Sequence, residues 1–200
     1  MRIIAGRYRS RSLEAPQGVT TRPTSDRLRE TLFNVLAPRI EGARLLDLYA
    51  GSGAVGMEAL SRGAGEVVFV ERAQPALKVL RANLERLGIA AGRSIESSSV
   101  AAYLRRAAGE ERRQAERFDV VFLDPPWDAA EEYAATLGVL GRNVERLLAA
   151  GVVVIAEHRR KQKLEDKYGE MGRTRLLEQG DAALSFYAVS GASEDAAANG

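Results

Sequence analysis

A short apolar run, Leu45-Leu46-Asp47-Leu48-Tyr49-Ala50, passes directly into Gly51-Ser52-Gly53-Ala54-Val55-Gly56, which opens an apolar-periodic helix. Strand, glycine-rich turn and helix, in that order, is the context a nucleotide-binding loop needs. Glycine permits the tight turn and lets a ligand approach the backbone closely. The next apolar run, Glu66-Val67-Val68-Phe69-Val70-Glu71, ends in an acid twenty residues past Gly51. At that spacing a carboxylate grips ribose hydroxyls.

The alternation continues along the chain. Periodicity predicts a helix from about Asp26 to Ala37, with Leu28, Leu32, Val35 and Leu36 on one face, Ser25 or Thr24 as its cap and Pro38 closing it. Strand 44–49 then leads to helix 54–62, strand 66–71 to helix 74–87 with a stop at Gly88, and a weaker strand at 93–97 to helix 99–108. After a charged stretch at 109–117 come strand 118–123, a long helix over 130–148 and strand 151–157. Extended segments at 173–179 and 183–189, separated by Gln179-Gly180-Asp181, read as a hairpin. Such alternation means an α/β fold with a mostly parallel sheet, here of seven strands, and the final hairpin makes one edge antiparallel. Residues 2–5 and 12–14 read as a short N-terminal β-hairpin around an Arg/Ser turn. The chain thus divides into a basic hairpin and loop (1–25), a main domain (26–190) and a disordered tail (191–200).

Two hundred residues suit one domain. There is no cysteine, which excludes disulfides, thiolate metal sites and cysteine nucleophiles. No apolar stretch approaches the roughly 20 residues of a membrane span, and the N-terminus lacks a signal-peptide core. A cytoplasmic monomer without metal is expected. The net charge of +2 is unevenly placed: residues 1–29 hold seven arginines (Arg2, Arg7, Arg9, Arg11, Arg22, Arg27 and Arg29) against Glu14 and Asp26, a local +5 that leaves −3 for the rest. A basic arm on a mildly acidic body suits either a polyanionic partner or a solvated charged segment.

The run Phe118-Asp119-Val120-Val121-Phe122-Leu123 stops at Asp124-Pro125-Pro126-Trp127. Proline cannot extend a central ladder, so the chain leaves the sheet there. Extended geometry is imposed on a residue before proline. An acceptor carboxylate, stiff carbonyls and a flat indole are therefore expected at a strand's C-terminal end, where open parallel sheets bind ligands. Such a set suits a planar base with an exocyclic amine. In a doubly wound sheet the first and fourth strands are neighbours at the switch point, so the two motifs are expected to face one crevice. Asp47 helps choose the ligand, since an unpaired carboxylate there would repel a pyrophosphate. S-adenosylmethionine, with its ammonium, sulfonium and ribose, fits Asp47 and Glu71. Rival readings are an NAD-dependent oxidoreductase, a non-catalytic RNA-binding module and an adenine-N6 or cytosine-N4 amino-methyltransferase acting on DNA or RNA.

Asp47-Leu48-Tyr49-Ala50-Gly51-Ser52-Gly53 together with Asp124-Pro125-Pro126-Trp127 resembles the class I S-adenosylmethionine-dependent amino-methyltransferases, which have a Rossmann-like fold. More narrowly, Arg2-Ile3-Ile4-Ala5-Gly6, the segment from Arg22 to Asn34 and Gly56-Met57-Glu58-Ala59-Leu60-Ser61-Arg62-Gly63-Ala64 resemble the bacterial RsmD family of ribosomal RNA guanine-N2 methyltransferases, from about Arg2 to Val189. The resemblance implies a methyltransferase of the 16S rRNA guanine-966 N2 type, acting on ribosomal RNA, the small subunit or an assembly intermediate. It implies a cofactor site at Asp47, Gly51, Ser52, Gly53 and Glu71, with Tyr49 and Gly56 of the same loop as further candidates, and a base site at Asp124, Pro125, Pro126 and Trp127. The family's usual Tyr or Phe is replaced by Trp127. Its adenine-binding Asp falls within Ser97-Ser98-Ser99, where the Ser98 and Ser99 hydroxyls are the candidate acceptors. Arg7, Arg9, Arg11, Arg22 and Arg27 are the candidate RNA contacts. His158, the one histidine, is expected at the surface beside Arg159, Arg160, Lys161 and Lys163, a cluster that suits either a phosphate contact or a solvated loop.

Overall fold

The computed structural model describes residues 1–15, 25–109 and 116–189. Arg22, Thr24, most of the expected Pro/Thr/Ser loop, the centre of the charged stretch and the tail lie outside the described residues. The chain divides into two compact units, Met1–Tyr103 and Leu104–Gly200.

In the first unit, helix α1 (Asp26–Leu36) starts where expected, with the Ser25 hydroxyl accepting from the Leu28 N–H at 3.1 Å. Its buried face is Leu28, Arg29, Leu32, Phe33 and Leu36. A single 3₁₀ turn (Ala37–Arg39) carries Pro38. Then follow β1 (Arg44–Leu48), α2 (Ala54–Ser61), β2 (Glu66–Glu71), α3 (Gln74–Leu87) and β3 (Arg93–Ser97). The strands lie in the order β3, β2, β1, all parallel. Leu45, Leu46 and Leu48 of β1 and Val67 to Val70 of β2 are buried. This is the pattern of strands covered on both faces. Along α3, Leu77, Leu80, Leu84 and Leu87 are buried, and Gly88 ends the helix in the left-handed region (φ +69°).

The N-terminal hairpin is reduced to one antiparallel bridge, Arg2 with Ser12. A turn over residues 5–10 separates its two sides, closed by Ile3 N–H to Arg11 O and Ser10 N–H to Ile3 O, each 2.9 Å. Ile3 and Leu13 are its buried side chains.

Helix α4 (Val100–Gly109) runs from the end of the first unit into the second. There β4 (Phe118–Leu123) pairs in parallel with β5 (Leu148–Arg159), and β5 pairs antiparallel with β8 (Ala182–Val189). Beyond β8 lie β7 (Met171–Gln179) and the two-residue β6 (Lys167–Tyr168), both antiparallel to their neighbours. The described strands number eight rather than seven because of β6.

The long expected helix is two helices, α5 (Ala130–Arg142) and α6 (Val144–Leu147). The break at Asn143 follows from packing. A side chain on Gly141 would lie 1.8 Å from the Tyr168 carbonyl oxygen, so the end of α5 seats directly on backbone. Glu170 then donates to Gly141 O at 3.0 Å. Strand β5 also outruns its expected length at both ends: Leu148 pairs with Phe118 of β4, and β8 continues to pair with the strand as far as Arg159.

Candidate active site

The turn after β1 is built on left-handed backbone. Tyr49, Gly51 and Gly53 have φ of +61°, +56° and +77°. Tyr49 is the exceptional one, because a side chain there costs conformational energy and such residues cluster at functional sites. Gly53 N–H donates to Ala50 O at 2.7 Å and closes the turn. The last glycine of the motif serves packing. A Cβ on Gly56 would come within 2.3 Å of Phe69 and 2.7 Å of Val67, so its absence lets α2 lie close on β2.

Asp47 and Glu71 brace this turn. The Asp47 carboxylate, 2% exposed, accepts from Gly56 N–H at 3.0 Å and so caps α2 from the preceding strand. Burial pushes its pKa up to about 8, against the lowering effect of that hydrogen bond, and the nearby Glu71 charge raises it further. One Glu71 oxygen accepts from Gly51 N–H at 2.9 Å; the other accepts from Arg72 and Ala73 N–H at 2.8 and 2.7 Å. Two neighbouring acids beneath a left-handed, glycine-rich turn are a donor set whose chemistry fits the cationic ammonium and the ribose hydroxyls of S-adenosylmethionine.

Ser52 is held from two sides. Its carbonyl accepts from Asn83 Nδ2 at 3.1 Å, and its hydroxyl points at Met1 Sδ, 3.7 Å away. Asn83 is fully buried on the apolar face of α3. It also clamps the backbone of Glu14: Oδ1 accepts from Glu14 N–H at 2.8 Å and Nδ2 donates to Glu14 O at 3.0 Å. No motif marks Asn83 in the sequence. The available signal was an amide between Leu80, Leu84 and Leu87, where only a fully bonded polar group is tolerated.

Of the serines considered for the adenine, Ser99 caps α4, its hydroxyl accepting from Ala102 N–H at 3.2 Å. Ser98 directs a long 3.4 Å bond at Ser99 O, and Ser97 accepts from Arg81 at 3.1 Å. Ser98 is therefore the least committed hydroxyl of the three.

The basic arm is docked along its length. Buried Glu58 accepts from Ile4 and Ala5 N–H at 2.7 and 3.0 Å and holds Arg62 Nε at 2.7 Å. Ser61 bonds Ala5 O and Tyr8 N–H through its hydroxyl and Arg7 N–H through its carbonyl. Gly6 (φ +80°) passes so close that a Cβ would lie 1.8 Å from Ser61 O. Arg29, counted with the arm's charge, is fully buried and bonds Arg2 O and Asp26. Arg7, Arg9, Arg11 and Arg27 are exposed. A groove of about 670 Å³ lies between arm and α1, with Arg2, Arg9, Arg27 and Arg62 in its wall beside Asp26 and Glu30. Arg7 and Arg11 are not among its lining residues: Arg7 lies over the Tyr8 ring, and Arg11 donates to Arg86 O at 3.1 Å.

In the second unit the Asp-Pro-Pro-Trp segment leaves β4 as expected. Pro125 is buried, while Asp124, Pro126 and Trp127 are half-buried. Ala129 N–H donates to Pro126 O at 2.9 Å and fixes the turn. The guanidinium of Arg159 sits 4.9 Å from the Trp127 ring centroid.

His158 is not at the surface. It is 2% exposed, near the end of β5. Its Nδ1 faces Arg159 O and its Nε2 faces Ser185 Oγ, both at 2.9 Å. A carbonyl only accepts, so Nδ1 carries the proton and Nε2 accepts from the serine. Burial lowers the pKa and keeps the ring neutral. Tyr133 meets the ring edge-on at 6.3 Å and donates to Glu157 O at 2.9 Å.

The family model described as "Conserved hypothetical protein 95" matches residues 1–188. The chain is 36% identical over 187 residues to Bacillus subtilis YlbH, provisionally named an rRNA methyltransferase, covering 94% of this chain and 98% of that one. It is 39% identical over 127 residues to the Escherichia coli ribosomal RNA small subunit methyltransferase D, covering 64% of this chain and 60% of that relative. The solved structure of E. coli yhhF, also provisionally named a methyltransferase, superposes with a TM-score of 0.78 at 32% identity, covering 94% of this chain and 96% of that one. The chain belongs to the RsmD family of class I methyltransferases.

Proposed function

We propose that this protein methylates the exocyclic N2 of a guanine in small-subunit ribosomal RNA, of the guanine-966 type, with S-adenosylmethionine as donor. The observation that carries the base assignment is the Asp124-Pro125-Pro126-Trp127 turn, which leaves a carboxylate and an indole half-exposed at the end of β4. The rRNA substrate follows from what the relatives are named for.

Bound at the Tyr49–Gly53 turn, the cofactor supplies an electrophilic methyl on a sulfonium. The chain's own residues do the rest. Asp47 would hold the ammonium and Glu71 the ribose, with Gly51 and Gly53 leaving room for the ligand against the backbone. The Asp124 carboxylate and the Pro125 carbonyl accept the two hydrogens of the guanine amine. This frees the nitrogen lone pair from the ring as the N–C bond forms and the C–S bond breaks. One amine proton leaves to Asp124 or to solvent. Trp127 stacks the base, worth about 1–3 kcal/mol. That is close to the few kcal/mol needed to unstack a base, so a loop or single-stranded target is favoured over firm duplex. Exposed arginines of the arm and α1 contact phosphates, and positioning of donor and acceptor supplies much of the rate.

The test is digestion and mass spectrometry of rRNA from cells with and without the protein. Loss of one N2-methylguanosine from the small-subunit RNA is expected. Loss of an N6-methyladenosine or N4-methylcytosine instead would replace the guanine assignment.

A further inference from the structure

The arm that lines the arginine groove and the turn that holds the cofactor share one buried fastening. Asn83 uses its oxygen and both amide hydrogens on two partners distant in sequence: the Glu14 backbone at the end of the arm and the Ser52 carbonyl inside the turn. The other end of the arm reaches the same serine, through Met1 Sδ at the Ser52 hydroxyl. The two ends are tied to each other as well, since Leu13 N–H donates to Met1 O at 3.0 Å. Between these ends, Glu58 and Ser61 bind the arm to α2, the helix that starts in the turn. Among the described residues, the arm is therefore fastened to Ser52 from both Met1 and Glu14. Its outward side offers Arg2 and Arg9 to the groove.

We propose that Asn83 is a positioning residue that couples the two ligands: RNA phosphates held against the arm tighten the turn on the cofactor, and bound cofactor orders the arm for RNA. This inference rests on the reading above of the arm as an RNA contact and the turn as the cofactor site. Linkage requires the effect to be equal in both directions. A buried amide with all its donors engaged transmits it because releasing either partner would strand polar groups away from water.

Calorimetry with S-adenosylhomocysteine, in the absence and presence of an unmodified 16S rRNA fragment, measures the coupling in the full chain. We expect wild-type protein to bind S-adenosylhomocysteine about 5-fold or more tightly with RNA present, the lower end of typical coupling. The reciprocal gain in RNA affinity should be of the same size. In Asn83→Leu, which keeps the branching at Cγ and removes all three bonds, each ligand still binds alone and the coupling factor falls below about 2. Equal cofactor affinity with and without RNA in wild type, or undiminished coupling in Asn83→Leu, overturns the proposal. Amide exchange on wild-type protein decides it should that variant not fold. S-adenosylhomocysteine alone should slow exchange of the Glu14 amide several-fold, although the arm is not part of the cofactor turn; unchanged exchange overturns the coupling. Independent binding in a protein that methylates rRNA removes only this inference. A protein that neither binds nor methylates rRNA removes the function proposed above as well.

Discussion

The guanidinium of Arg159 lies over the indole of Trp127, 4.9 Å from the ring centroid, and the backbone that presents it is fixed by buried His158 donating to Arg159 O. A cation on an aromatic face at an exposed site is worth about 0.5–1 kcal/mol. Arg159 thus steadies the ring on which the base is proposed to stack. Arg159→Ala should raise the KM for RNA about 2- to 5-fold and leave kcat nearly unchanged, because the contact is made before and during the transition state alike. Steady-state kinetics check this. An unaltered KM would make the stack a surface contact only.

Asp47 gives a pH signature. Its pKa in the folded protein, about 8, lies above the ordinary aspartate value of 3.8. Between those limits the native state holds a proton that the unfolded state has lost, so this group's contribution is fully present below about pH 4 and is lost as pH rises through 8. Asp47→Asn keeps an acceptor for Gly56 N–H and abolishes the titration. Chemical denaturation of the cofactor-free protein should therefore show wild-type stability falling more steeply than the variant's from pH 5 to 8. Cofactor binding adds the opposite sign. A cationic ammonium favours the ionised carboxylate, so binding at pH 7 should release up to one proton, seen as a buffer-dependent heat. A binding heat that is the same in every buffer would separate Asp47 from the ammonium.

What the chain concealed has a common physical cause. Strands β1, β2 and β4 were legible because Leu45-Leu46, Val67 to Val70 and Val120 to Leu123 are buried runs bounded by glycine, acid or proline. The glycine-rich turn after β1 was legible because the left-handed backbone at Gly51 and Gly53 is a local demand that glycine meets. Asn83 and Glu58 were not, since their partners are backbone groups 69 and 54 residues away and carry no side-chain signature. His158 was misplaced for a related reason. Arg159, Arg160 and Lys161 suggested a surface loop, whereas pairing with Ala183 of β8 carries the strand past the histidine. The break at Asn143 depends on Gly141 meeting the Tyr168 carbonyl, a contact no helical periodicity reveals.

Gly6 tests whether the arm is a fixed part of the first unit. It has φ +80°, and a methyl group there would sit 1.8 Å from the Ser61 carbonyl. Gly6→Ala should cost on the order of 1–3 kcal/mol, the range for overpacking and for a strained backbone position. The loss should fall on the arm first. Limited proteolysis near residues 5–10 should accelerate while the β1–β2 amides keep their protection. Uniform loss of protection across the unit would instead make the arm inseparable from its core.

The arginines divide by position. Arg9 and Arg27 line the groove, whereas Arg11 is engaged with Arg86 O. Each phosphate contact to a single strand adds about 0.7 to the slope of log K against log salt. Arg9→Ala with Arg27→Ala should lower that slope by about 1.4 and weaken RNA binding markedly at low salt. Arg11→Ala should do less on both counts. Filter binding across a salt series distinguishes them, and equal losses for the two variants would move the RNA path off the groove.

Asp124 carries the chemistry proposed for the base. Its place, half-buried before Pro125 at the end of β4, lets it orient an amine without being part of the Tyr49–Gly53 turn. Removing a positioned acceptor that acts on developing charge costs about 10²–10³ in kcat. Asp124→Ala should therefore lose methyl transfer by at least that factor while S-adenosylhomocysteine binds within about 3-fold of wild type, since no cofactor contact is assigned to it. Calorimetry and a tritiated-methyl transfer assay on unmodified rRNA give the two readouts separately. Turnover at the wild-type rate would remove Asp124 from the mechanism. Loss of cofactor binding in step with activity would assign it to holding the donor rather than the base.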